Sequence, residues 1–133
     1  MNARTYSVTI PAPKSRVFAY LADIENLPQW ATCFCQRLDV IDGRHWATTP
    51  QGQVLCDIRA HQATGTIDFL AGPSAEQMAR WPARVLDLPG GESLYQFTTI
   101  QMPGMSDEEF EAQGVDVQTE FENILRVFEP VQV

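Results

Sequence analysis

The sequence predicts an α+β domain in which a curved, seven-stranded antiparallel sheet wraps one long C-terminal helix, with two short helices after the first strand. Three observations carry this reading. Residues 106–129 form one long amphipathic stripe, the chain before them breaks into short extended runs separated by turn residues, and those runs are apolar on one face only. A sheet covered on one side needs a partner, and the long helix is the only element large enough to cover it. With 133 residues, 44% of them hydrophobic, the chain fits a single domain over its full length.

The first run, Thr5 to Ile10, alternates so that Tyr6, Val8 and Ile10 share a face, which predicts a strand. Pro11-Ala12-Pro13 stops it, and Pro13 suits the first turn of a helix over Lys14 to Ala22, whose Val17, Phe18 and Leu21 form an apolar stripe. A second short helix follows, with Asp23 or Asn26 near its start and Leu27, Trp30 and Ala31 on its inner side. Six further strands are expected at Cys35–Ile41, Arg44–Thr49, Gln53–Ala60, Thr64–Ala71, Met78–Leu86 and Ser93–Gln101, with Asp42-Gly43 as a strong hairpin signal. Pro82 inside the sixth strand requires an edge position or a bulge, because proline donates nothing to a ladder.

Alternation assigns the faces. Val54, Cys56, Ile58 and Ala60 oppose Asp57 and Arg59; Ile67 and Phe69 oppose Asp68; Trp81, Ala83 and Val85 oppose Arg80 and Arg84; Tyr95 and Phe97 oppose Gln96 and Thr98. In the third strand either His45 or Trp46 points inward. The outer Arg80, Arg84, Asp57 and Asp68 are expected to make a solvated ion-pair lattice. In the last segment Ser106 and Glu109 have the spacing of a capping box, and Asp107 and Glu108 oppose the positive end of the helix dipole. Phe110, Val117, Phe121, Ile124, Leu125 and Phe128 line the buried side, Pro130 ends the helix, and Gly114 in its middle marks a kink or open space for a ligand.

The net charge is −8, and residues 106–129 hold eight carboxylates against the single Arg126. So acidic a surface disfavours nucleic acid and anionic membranes, and no run is apolar and long enough to span a bilayer. The N-terminus lacks an apolar signal core, so a cytoplasmic protein is expected. Cys33, Cys35 and Cys56 are odd in number and wrongly spaced for zinc, and His45 and His61 add no partnering spacing; free thiols are expected, with no metal and no cofactor.

The segment VTIPAPKSRVFAYLADIENLPQWA (Val8 to Ala31), with its strand, Pro-Ala step, helix opening before Val-Phe and Leu-Pro-x-Trp close, resembles the START-like, helix-grip superfamily. That superfamily contains the polyketide cyclase/dehydrase proteins, the birch-pollen-allergen-like proteins and lipid-transfer domains. His45-Trp46 and Pro50-x-Gly52 are similar to the third strand and turn of small bacterial members. The resemblance implies a helix-grip (birch-pollen-allergen-like) fold with a cavity between sheet and helix for a lipid, polyketide or other apolar metabolite. Its motifs mark fold, not chemistry.

The expected ligand-binding residues are Trp30, Trp46, Cys56, Ile58, Phe69, Trp81, Tyr95, Phe97, Phe110, Gly114, Val117 and Phe121. The leading expectation is a small hydrophobic molecule bound without chemistry. A polyketide cyclase/dehydrase-like enzyme is the alternative, with His45 and Tyr95 the only and weak catalytic candidates; a third reading docks a partner on Leu27 to Phe34. Edge strands at Thr5–Ile10 or Met78–Leu86 offer a surface for a homodimer.

Overall fold

The structure, a computed structural model, describes residues 2–129. In chain order it contains β1 (Ala3–Ile10), α1 (Lys14–Leu21), a 3₁₀ turn at Ile24–Asn26, α2 (Leu27–Trp30), β2 (Arg37–Ile41), β3 (Arg44–Thr49), β4 (Gly52–His61), β5 (Thr66–Gly72), β6 (Ala79–Asp87), β7 (Ser93–Ile100) and α3 (Asp107–Val127). The seven strands form one antiparallel sheet in the order β1-β7-β6-β5-β4-β3-β2. This is the expected seven-stranded meander with its long C-terminal helix. Pro130, the expected helix stop, lies outside the described residues, and the last helical turn closes at Phe128.

Register fixes the concave face. Val8 and Val85 both sit opposite Tyr95, Phe97 opposite Tyr6 and Ala83, and Ile58 opposite Phe69, so these side chains share the face that holds α3. In the third strand His45 pairs with Cys56 and takes that face. Trp46, expected among the ligand-binding residues, points the other way. It sits opposite Leu55 on the convex side, where Leu55 and its diagonal neighbour Leu70 are buried apart from the main core.

Other expectations need correction. Strand β6 is internal from Ala83 onward, where β7 pairs with it, so only its first residues are open on one side; β1 and β2 are the outer strands. Pro82 is accommodated because the β6–β7 ladder begins only at Ala83, leaving Ala79–Pro82 paired with β5 alone. The outer ion-pair lattice reduces to Arg80 and Asp68 at 3.8 Å, since Arg84 donates to the Thr64 carbonyl and Asp57 accepts from the Ile58 N–H. Pro13 caps α1 from just outside its first turn.

The long helix begins as its sequence demands. The Ser106 hydroxyl accepts from the Glu109 N–H at 3.1 Å, and the Glu109 carboxylate accepts from the Ser106 N–H at 3.2 Å. It then packs on β1, β7 and α2, the strands and helix at one side of the sheet. Gly114 is where it comes closest. A Cβ there would overlap the Tyr6 hydroxyl and lie 3.0 Å from Cζ, so this glycine makes room for a β1 tyrosine and marks neither a kink nor ligand space. In the second half, Phe121 meets Tyr95 edge-on at 5.6 Å between ring centroids, and Tyr95 meets Trp30 at 6.4 Å.

Replacing Gly114 by Ala should therefore destabilise the protein by about 1 kcal/mol, although alanine is the better helix former by about that amount. Combined with Tyr6→Leu the same change should become neutral or stabilising. Denaturant unfolding of the two single variants and the double variant measures the coupling; a Gly114→Ala change that stabilises the unmodified protein contradicts the close contact.

Candidate functional site

Because α3 leans toward β1 and β7, it stands away from the middle of the sheet. The gap is a cavity of about 520 Å³. Its walls are Leu27, Trp30 and Ala31 from the α2 region, Phe34 from the following turn, Cys56, Phe69, Ala71, Trp81 and Phe97 from β4 to β7, and Val117 from α3. Pro50 and Gln51 of the β3–β4 turn, with Glu109, Ala112 and Asp116 of α3, are exposed and form the rim. Trp30 also meets Phe69 edge-on at 5.7 Å, and Phe69 lies 5.8 Å from Phe97, so the aromatic walls brace one another.

The structure brings together six of the expected ligand-binding residues, Trp30, Cys56, Phe69, Trp81, Phe97 and Val117. The others lie elsewhere. Trp46 is on the convex face, and Ile58 lies on the concave face beyond the cavity wall. Phe110 and Phe121 are buried helix-docking residues, and Gly114 is filled by Tyr6. Tyr95 is wholly buried outside the cavity lining, and its hydroxyl has no hydrogen-bond partner among the described residues. Burial holds the phenol well above its ordinary pKa, with Glu120 adding to the effect. His45 does not reach the cavity either, because its Nε2 lies 2.8 Å from the Glu25 carboxylate. The two weak catalytic candidates do not converge.

The thiols are poor nucleophiles. Burial pushes Cys35 up to about 11 and Cys56 up to about 12, and burial with the Asp116 and Glu120 charges raises Cys33.

Glu120 is absent from the expected site residues. It lines the cavity, and its Oε2 accepts from the backbone N–H groups of Cys33 and Phe34, each at 3.2 Å. Next to it, Asn123 Nδ2 donates to the Trp30 carbonyl at 3.0 Å and to Thr32 Oγ1 at 2.9 Å, so α3 is pinned to the turn that follows α2. Burial raises the Glu120 carboxyl to about 7; the two N–H groups lower it and Asp116 raises it further. Two more buried polar atoms on the cavity-lining residues, Trp30 Nε1 and Gln113 Oε1, have no partner among the described residues. Position in the helix would have exposed the signal: Glu120 follows Val117 by three residues and precedes Ile124 by four, on the flank of the buried stripe.

No family model matches the sequence, and none of the curated proteins compared with it matches. Solved structures do. A START superfamily protein from Mycobacterium smegmatis superposes with a TM-score of 0.65 at 11% identity, over 95% of this chain and 96% of that one. The Aha1 dimer from Colwellia psychrerythraea gives 0.72 at 11% identity, over 97% of each chain. The di-domain ARO/CYC protein BexL gives 0.70 at 16% identity, over 95% of this chain and 46% of its own. The chain has the START-like, helix-grip fold. At these identities the likeness is one of fold. Among the described residues no helix is long and apolar enough to cross a membrane.

A carboxyl whose native pKa is raised works against stability once the unfolded chain ionises. Below about pH 4.5 Glu120 is protonated in both states and contributes nothing. As pH rises from there to about 7 the unfolded state loses its proton first, so stability falls, and above 7 the penalty is constant. Glu120→Gln keeps an acceptor for the two N–H groups. It should gain roughly 2 kcal/mol at pH 8 after allowance for partial exposure, and should flatten the stability profile between those two pH values. Thermal or urea unfolding across pH measures this; an unchanged profile contradicts the burial of a charged Glu120.

Proposed function

We propose that the protein binds a small, largely apolar molecule in the space between the sheet and α3. The observation that carries this reading is the cavity itself: about 520 Å³, walled by Trp30, Phe69, Trp81, Phe97, Leu27 and Val117, with the Glu120 carboxyl held in place at its wall. Ligand pockets of roughly 300–1,000 Å³ have this composition, in which apolar walls supply affinity and sparse polar groups supply orientation. Fold neighbours that include a START superfamily protein and an ARO/CYC protein support the same reading at the level of fold.

The observation that favours chemistry is Glu120, whose pKa near 7 suits a general acid or base. It has no activated nucleophile beside it, since the nearby thiols are held protonated, and His45 and Tyr95 lie off the cavity. A lone carboxyl among aromatic walls supports binding better than turnover.

Filling the cavity tests the reading. Val117→Trp should weaken binding of the neutral fluorophore N-phenyl-1-naphthylamine by about tenfold or more, while leaving the unfolding transition cooperative. Fluorescence titration of both proteins provides the measurement. Undiminished binding by the filled variant would place the apolar site elsewhere, and no binding by either protein would remove the ligand-binding reading.

A further inference from the structure

The charges around the cavity are all of one sign. Of the side chains lining it, Glu109, Asp116 and Glu120 carry carboxyl groups on the α3 side, and the carboxylate of Asp57 is turned to its own strand backbone on the convex face. No lysine, arginine or histidine lines it among the described residues. The opposite walls present aromatic surface from Trp30, Phe69, Trp81 and Phe97.

Glu120 is held in place through one of its two oxygens. Its Oε2 takes both backbone N–H groups, and Oε1 has no hydrogen-bond partner among the described residues. The groups that face Glu120 are Asp116 from its own helix, Cys33 and Cys35 from the turn after α2, and Tyr95 from β7. None of them is a cation. Glu120 is half-buried with no cation beside it, and burial raises its carboxyl to about 7, while its free Oε1 stays accessible from the cavity side. The unpartnered indole N–H of Trp30 and Gln113 Oε1, on residues that line the same cavity, are sealed from solvent and so face packed protein, which leaves them outside a ligand's reach.

From this we infer that the cavity selects an amphipathic organic cation: an apolar body against the aromatic walls and an ammonium group paired with Glu120. The inference rests on the binding function proposed above and narrows its ligand class. An ammonium suits both halves of the site. Its positive charge interacts with the faces of aromatic rings as well as with a carboxylate, and its N–H groups can donate to Glu120 Oε1. Fatty acids and other carboxylates are selected against, because they would bring a second negative charge to Glu120 past the rim of Glu109 and Asp116.

Protonation sets the pH response. A cation binds the ionised form of Glu120, so affinity is full above about pH 7 and falls as pH drops through that value.

The experiment compares three probes with one tail, decylammonium, decanol and decanoate, by tryptophan quenching and calorimetry at pH 8, below their aggregation limits. The expected result is decylammonium tighter than decanol by about tenfold or more, and decanoate weakest. Decylammonium affinity should fall by about tenfold or more from pH 8 to pH 5.5, and Glu120→Gln should collapse both the ammonium-to-decanol ratio and its pH dependence. Asp116→Asn, at the rim, should lower the ratio less. Equal affinity for decylammonium and decanol, or preference for decanoate, overturns this inference and leaves the cavity reading intact. Failure of all three probes to bind overturns both.

Discussion

The contact on which the rest depends is the docking of α3 through one end and one side. Tyr95, wholly buried at the centre of β7, is held between Trp30 and Phe121, which joins sheet, α2 and α3 in one aromatic stack. Gly114 lets the helix close on Tyr6 of β1. A helix fixed at those points packs chiefly on β1, β7 and α2, and the cavity lies between it and the side chains of β4 to β7. The hollow is therefore a consequence of where the large side chains are spent. Were they placed under Val117 instead, the same fold would have a solid core.

The acidic helix divides its carboxylates between two tasks. Asp107, Glu108 and Glu109 oppose the positive end of the dipole at the helix start and are exposed. Glu120 is different because it is brought inside by the two N–H groups of the turn after α2 and by Asn123 beside it. One residue thus ties the helix to the turn after α2 and gives an apolar cavity an interior carboxyl. Stability and recognition are opposed there: the ionised form that a cation would use is the form that costs the empty protein.

Much of the architecture was legible before any coordinates. Two-residue alternation found all seven strands, and the capping box and apolar stripe found α3, because those patterns follow from local geometry. Boundaries drifted where tertiary contact decides: β2 starts at Arg37, since Cys35 still belongs to the turn whose N–H bonds the Ala31 carbonyl. Trp46 was misplaced because a strand with a large side chain at each of two neighbouring positions does not say which one faces in; pairing with β4 does. Gly114 read as a helix defect because its cause, Tyr6, is about a hundred residues away in sequence. Glu120 was hidden among seven other carboxylates in its segment, and only its place beside the buried stripe distinguished it.

The central claim is that the space beside α3 is occupied by a defined small molecule. Native mass spectrometry of the protein purified from the cells that make it, followed by extraction and mass determination of whatever is bound, tests that claim most directly. The account predicts one dominant apolar compound in stoichiometric amount, bearing a basic nitrogen and lost from a protein whose cavity is filled by Val117→Trp. A bound carboxylic acid would contradict the electrostatic part of the account, and a compound retained equally by the filled variant would contradict the whole of it.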